Sequence, residues 1–134
     1  MRATADRPSA LELDQLADLL AANPLDREHL DATLGSIEQG LQVHAAELDR
    51  SGGLLDESDH AARPSLARED ERLREENATL VHDIQLCRES VLSTAAGEEV
   101  RRCASAILAA LRGHRDAEAS LVLESVDTEV GAGD

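Results

Sequence analysis

The chain contains no phenylalanine, tyrosine, tryptophan or lysine. Without aromatic rings it offers no stacking platform for nucleobases or flat cofactors, and every basic side chain is an arginine or a histidine. Positive charge is scarce: 13 arginines stand against 28 acids, for a formal charge of -15. That excess repels phosphate backbones and anionic membrane surfaces over about 8–10 Å in physiological salt, so no nucleic acid and no membrane is expected as a partner. No apolar run approaches the about 20 residues needed to span a bilayer, and the start MRATADRPSA lacks the apolar stretch of a secretory signal. A cytoplasmic protein is expected. The two cysteines, Cys87 and Cys103, form no C-x-x-C pair and fall on helical stripes, so they read as reduced thiols used as small core residues. No nucleophile or second base stands at a motif spacing, and Ser51-Gly52-Gly53 is too slight for a phosphate loop. An enzyme is not expected.

What is present is helical periodicity. With 134 residues, 42% hydrophobic and 31% charged, the chain has the apolar material for one core, and residues 1–134 read as a single domain. Pro8-Ser9 opens a first helix over about residues 9–22, with Leu13, Leu16, Leu19 and Leu20 on one side, and Asn23-Pro24 ends it. Asp26 offers an N-cap to a second helix, roughly 26–50, in which Leu30, Leu34, Ile37, Leu41, His44 and Leu48 alternate steps of four and three. Ser51-Gly52-Gly53 breaks the pattern, leaving a 51–65 loop with a Leu54-Leu55 anchor. A third helix of about 65–95 carries Leu66, Leu73, Asn77, Leu80, Ile84, Cys87 and Val91. Gly97 marks a tight turn into a fourth, about 98–128, with Val100, Cys103, Ile107, Leu111, His114, Glu118 and Leu121. Residues 130–134 read as a flexible tail. The expected fold is all-α: an antiparallel up-down helical bundle of three long helices plus a short N-terminal helix.

A short turn folds helices three and four into a hairpin, and an equal rise of about 1.5 Å per residue fixes which positions share a level. Setting Val91 opposite Val100 puts Ile84 opposite Ile107, Leu80 opposite Leu111, Asn77 opposite His114 and Leu73 opposite Glu118. Apolar meets apolar, then polar meets polar, and Cys87 comes near Cys103. An antiparallel return of helix two brings His44 to within about a turn of Leu73 and Glu118. A polar layer of His44, Asn77, His114 and Glu118 follows. Imidazoles and a carboxylate projecting into a dry bundle are how helical proteins hold one iron, manganese or zinc ion, which makes His114, Glu118 and His44 the candidate metal ligands and Asn77 a polar core neighbour. The other reading of the same layer is a set of hydrogen-bonded side chains that satisfy one another. His29, His60 and His82 fall off the stripes or in the loop and read as solvated.

Leu73-Arg74-Glu75-Glu76-Asn77, followed by Leu111-Arg112-Gly113-His114-Arg115-Asp116-Ala117-Glu118, resembles half of a hemerythrin-like domain, of the kind that shows an E-H pair on one helix and H-x-x-x-E on the next. The resemblance is confined to the C-terminal half. It implies a four-helix bundle, and in that family the bundle commonly holds a non-heme di-iron centre that binds oxygen or senses redox conditions. Only His114 and Glu118 match cleanly: Asn77 stands where the pattern has histidine, and in the first half Glu28-His29 mimics an E-H pair while His44 has Leu48, not Glu, four positions later. The resemblance therefore implies an incomplete, degenerate metal site.

The third helix also permits a rival reading. Leu73, Leu80 and Cys87 at d, with Asn77, Ile84 and Val91 at a, match a parallel two-stranded coiled coil whose register is set by one asparagine. The function expected from the sequence is a non-catalytic binding or interaction module with a protein partner or self-association. The alternatives are a coiled-coil adaptor with no ligand site and a single-metal or redox-sensing bundle.

Overall fold

The computed structural model describes residues 8–55 and 61–133, of which Ser51 and 127–133 by their backbone alone. Expectations placed on residues 1–7, on 56–60 with His60, and on Asp134 lie outside that range. Four helices make up the described fold: α1 Ala10–Ala21, α2 Arg27–Ser51, α3 Pro64–Val91 and α4 Gly97–Gly133. No strand occurs among the described residues, and no helix there is long and apolar enough to cross a membrane. The all-α expectation, with one short and three long helices, matches these elements.

Local chemistry sets the helix starts. Ser9 accepts from the Glu12 amide at 3.2 Å while the Glu12 carboxylate accepts from the Ser9 amide, a reciprocal capping box that satisfies two otherwise orphaned N–H groups of α1. Asp26 accepts from the His29 amide at 3.1 Å and opens α2. Pro64 occupies the first turn of α3, where its missing N–H costs nothing. Gly52, at φ 83, closes α2 in the left-handed conformation that glycine adopts without strain.

Two helix ends differ from the sequence reading. α3 stops at Val91 instead of near residue 95, because Ser93 diverts the chain: its hydroxyl donates to the Ser90 carbonyl at 2.7 Å and accepts from the Ala95 amide at 3.1 Å. Arg27 of α2 then donates to the carbonyls of Val91, Ser93 and Ala95, closing the α3 C-terminus from a neighbouring helix. Gly97 is the first residue of α4 and does not adopt positive φ, so the turn rests on serine and arginine hydrogen bonds. At the other end α4 continues through Gly133, beyond the expected end near residue 128 and into the residues read as a flexible tail. Each glycine lowers helix propensity by only about 1 kcal/mol, which a long preceding helix tolerates.

Helix α1 packs on α2 and α4, α2 on α3, and α3 on α4. Along the α2–α3 seam the partner numbers fall as those of α2 rise: Arg27 to Val91, Asp31 to Arg88, Glu38 to Gln85, Leu41 to Asn77, and Asp49 to Arg74. Arg88 lies across α2, forked onto Asp31 at 2.8 and 3.4 Å and reaching Glu38 at 3.1 Å. Gly35 leaves room for that guanidinium, since a Cβ there would sit 3.0 Å from Arg88 Cζ.

Apolar side chains collect in two separate clusters. The larger joins Leu13 and Leu16 of α1 to Leu30, Leu34, Ile37 and Leu41 of α2, the α3 stripe from Leu80 to Val91, and the α4 stripe from Val100 to Leu111. The smaller holds Leu48, Leu54, Leu55, Leu66, Leu73 and Leu121. Between Leu41 and Leu48 lies His44, between Leu73 and Leu80 lies Asn77, and between Leu111 and Leu121 lie His114 and Glu118. A polar layer divides the core.

Candidate functional site

The layer is built by the heptad rhythm itself. Steps of three and four carry each apolar stripe past a polar residue without leaving the buried face, so His44, Asn77 and His114 are buried at 2–3% exposure. Glu118, one turn beyond His114 on the same face of α4, is 15% exposed at its side chain.

Glu118 is the centre of the arrangement. Its Oε2 lies 2.8 Å from His44 Nε2 on α2, and its Oε1 lies 3.5 Å from His114 Nε2 on its own helix. An ionised carboxylate can only accept, so His44 donates through Nε2. The second approach is an ion-pair separation without a hydrogen bond. His114 is held on its other side, where Nδ1 lies 2.6 Å from Glu76 Oε1 of α3. Glu76 in turn accepts from Arg72 at 3.0 Å, and Arg72 forks onto Glu69. The hydrogen bond from Arg72 holds the Glu69 carboxyl below its ordinary range. A continuous polar path thus runs from His44 in the core through Glu118, His114 and Glu76 to Arg72 on the surface.

Sequence reasoning named His44, His114 and Glu118, and the fold brings these three together. Asn77 is at the same level but engages a different partner from the one expected. It does not pair with His114; its amide donates to the Leu41 carbonyl at 3.2 Å, and its Oδ1 has no hydrogen-bond partner. Glu76, the residue before it, reaches His114 instead. Glu76 sits one position off the stripe, half-exposed, and its longer side chain bends in from the edge. Its signal in the sequence was only its place beside Asn77 on α3.

Asp70 is a second polar core residue that the sequence reading passed over. It is fully buried and accepts from the Leu54 amide at 3.2 Å, pinning the segment after α2 onto α3. Its signal was the rhythm alone, since it stands between Leu66 and Leu73 at the same steps of four and three. Ser125, four residues past Leu121, is buried for the same reason.

These residues do not fit a metal centre in this geometry. Among the described residues no group of three or more His, Cys, Asp or Glu side chains is arranged to hold an ion. Glu118 directs one oxygen at each imidazole, and the remaining contact of His114 is with Glu76. A di-iron centre needs several carboxylates and imidazoles converging around open positions.

The cysteines are both free, Cys87 fully buried and Cys103 partly so. Burial pushes the Cys87 thiol up, and the neighbouring Cys103 adds to the shift. Outside, α3 and α4 leave a shallow cleft of about 290 Å³, lined by Leu80, Asp83, Leu86, Cys103, Ile107 and two alanines, with Leu86 itself 50% exposed.

No known protein family, curated protein or solved structure matches this chain.

Proposed function

We propose that this chain is a non-catalytic helical interaction module, an antiparallel up-down bundle resembling hemerythrin-like domains with an incomplete metal site. It acts in the cytoplasm through protein contact or self-association. The observation that carries this reading is the pairing within the layer: His44 is engaged by Glu118 at 2.8 Å and His114 by Glu76 at 2.6 Å. Imidazoles committed to carboxylates inside a bundle fix packing and register, and each of the two buried rings gains one carboxylate partner. Protein contact is also favoured by the half-exposed Leu86 beside the alanine-lined cleft, where small side chains allow close approach.

The coiled-coil alternative has less support, because the α3 stripe from Leu73 to Val91 is covered within one chain. The single-metal alternative draws on a specific feature: Glu118 lies beside both His44 and His114, and a carboxylate behind His114 Nδ1 is the usual outer partner of a metal-bound imidazole. Elemental analysis of tag-free protein, purified without added metal or chelator, separates the readings. The expected result is iron, manganese and zinc far below one ion per chain, unchanged in His114→Ala and Glu118→Ala. Near-stoichiometric metal that both substitutions abolish would overturn the interaction-module reading in favour of a metal-binding bundle.

A further inference from the structure

Each histidine of the layer has a carboxylate beside it, but half of the Asn77 amide is idle: the side chain is 2% exposed and its Oδ1 has no hydrogen-bond partner. A buried acceptor without a donor destabilises a fold, so a native chain that keeps one calls for a reason. Asn77 lines a cleft of about 450 Å³ between α2 and α3, walled by Ala45, Ala46, Ala78 and Val81. The cleft opens because alanines replace larger side chains on the seam. Ala45 stands one heptad after Glu38, and Ala78 one heptad after Glu71, at the same helical positions. Bridges cross the seam on either side of it, Gln85 to Glu38 at 3.1 Å and Arg74 to Asp49. A rise of about 1.5 Å per residue sets them about 16 Å apart. A helix laid along the groove would ride over both bridges, whereas one extended side chain enters between them.

The lining selects that side chain. Oδ1 can only accept, so the guest is a donor, and the walls suit an aliphatic stem. Arg74 is already held by Asp49, and the exposed Glu71 and Glu75 lie within a turn of it, in a chain of formal charge -15. A cation is drawn to this mouth and an anion repelled. We infer that the α2–α3 cleft receives a lysine side chain of a partner protein, its ammonium donating to Asn77 Oδ1 and facing the Asp49 carboxylate, its stem lying against the alanines. Oδ1 is closed to solvent, so it meets the ammonium when the amide turns about its terminal bond toward the cleft it lines. A guanidinium suits the site less, since its planar fork seeks two carboxylate oxygens. This inference rests on the interaction-module reading and narrows it: the chain has no lysine, so the partner is a different, basic protein and not a second copy.

Nuclear magnetic resonance titration of isotope-labelled full-length protein tests the site, using a capped alanine peptide with one central lysine at up to millimolar concentration. The expected result is saturable shifts of the Asn77 side-chain amide and of the Ala45 and Ala78 backbone amides. They should be absent with norleucine in place of lysine and about tenfold weaker with arginine. Affinity should also fall about tenfold in Asn77→Leu, which removes the acceptor, and in Ala78→Leu, which fills the cleft from an exposed position. No response at Asn77 would overturn the site, and an equal response to norleucine would overturn the need for a cation. An equal response to arginine would overturn the choice of lysine and admit a second copy. Free hexylammonium that binds more tightly than the peptide would overturn the protein source in favour of a small amine. Wild-type affinity in both variants, with helical circular dichroism retained, would overturn the placement. Elemental analysis is independent of these results: a metal-free protein that ignores the lysine peptide keeps the interaction-module reading and loses this site.

Discussion

His114 and Asn77 occupy the same level of the core, yet their removal leaves different things behind. Truncating His114 opens a cavity and strips Glu76 and Glu118 of a shared neighbour in a poorly solvated place. His114→Ala is therefore expected to cost about 2–4 kcal/mol. Asn77→Leu instead removes a buried oxygen that has no partner together with one amide donation to the Leu41 carbonyl, and the two nearly offset, so its effect should lie within about 1 kcal/mol. Urea unfolding followed by far-ultraviolet circular dichroism measures both, since the chain has no aromatic fluorophore. Equal losses in the two variants would show that the layer does not work as described. At this scale the rhythm of the stripes made His44, Asn77, His114 and Glu118 legible. It could not reveal that Glu76 would take the place opposite His114, because which of two adjacent side chains reaches inward depends on helix rotation and side-chain length, not on spacing.

The starts of α1 and α2 were legible because their causes are local: Ser9 and Asp26 each act within a few residues. Helix ends were less so, since the α3 terminus is closed by Arg27, far away in sequence. The same holds for the join after α2. Its glycines announced a break, but the reason they are required lies on α3. Gly53 sits at φ 112, and a Cβ there would approach Asp70 Oδ2 to 2.3 Å. Gly53→Ala should cost about 2–4 kcal/mol, combining backbone strain with displacement of the carboxylate that accepts from Leu54. Denaturant midpoints of this variant and of Gly113→Ala, where an added Cβ meets nothing within 4 Å, provide the comparison. Gly113→Ala should be neutral or slightly stabilising, because alanine is the better helix former. A Gly53→Ala protein as stable as wild type would remove Asp70 as the anchor of that segment.

Across the whole molecule the division of the core matters more than any one contact. The larger apolar cluster is shared by all four helices, whereas the smaller draws on the end of α2, the segment after it, the start of α3 and, on α4, Leu121 with the partly buried Ala117 and Val122. Among the described residues the buried apolar side chains fall into these two clusters, with His44, Asn77, His114 and Glu118 between them. Cooperative opening follows contiguous packing, so the two ends should not exchange their amide hydrogens as one unit. Native-state deuterium exchange is expected to find the slowest amides around Leu34, Ile84 and Ile107 and a faster set around Leu66, Leu73 and Leu121, released by a partial opening that leaves the larger cluster closed. A single uniform protection class spanning both would mean that the layer welds the halves together. With distinct classes, the polar path is a seam along which one end of the molecule breathes while the other stays shut.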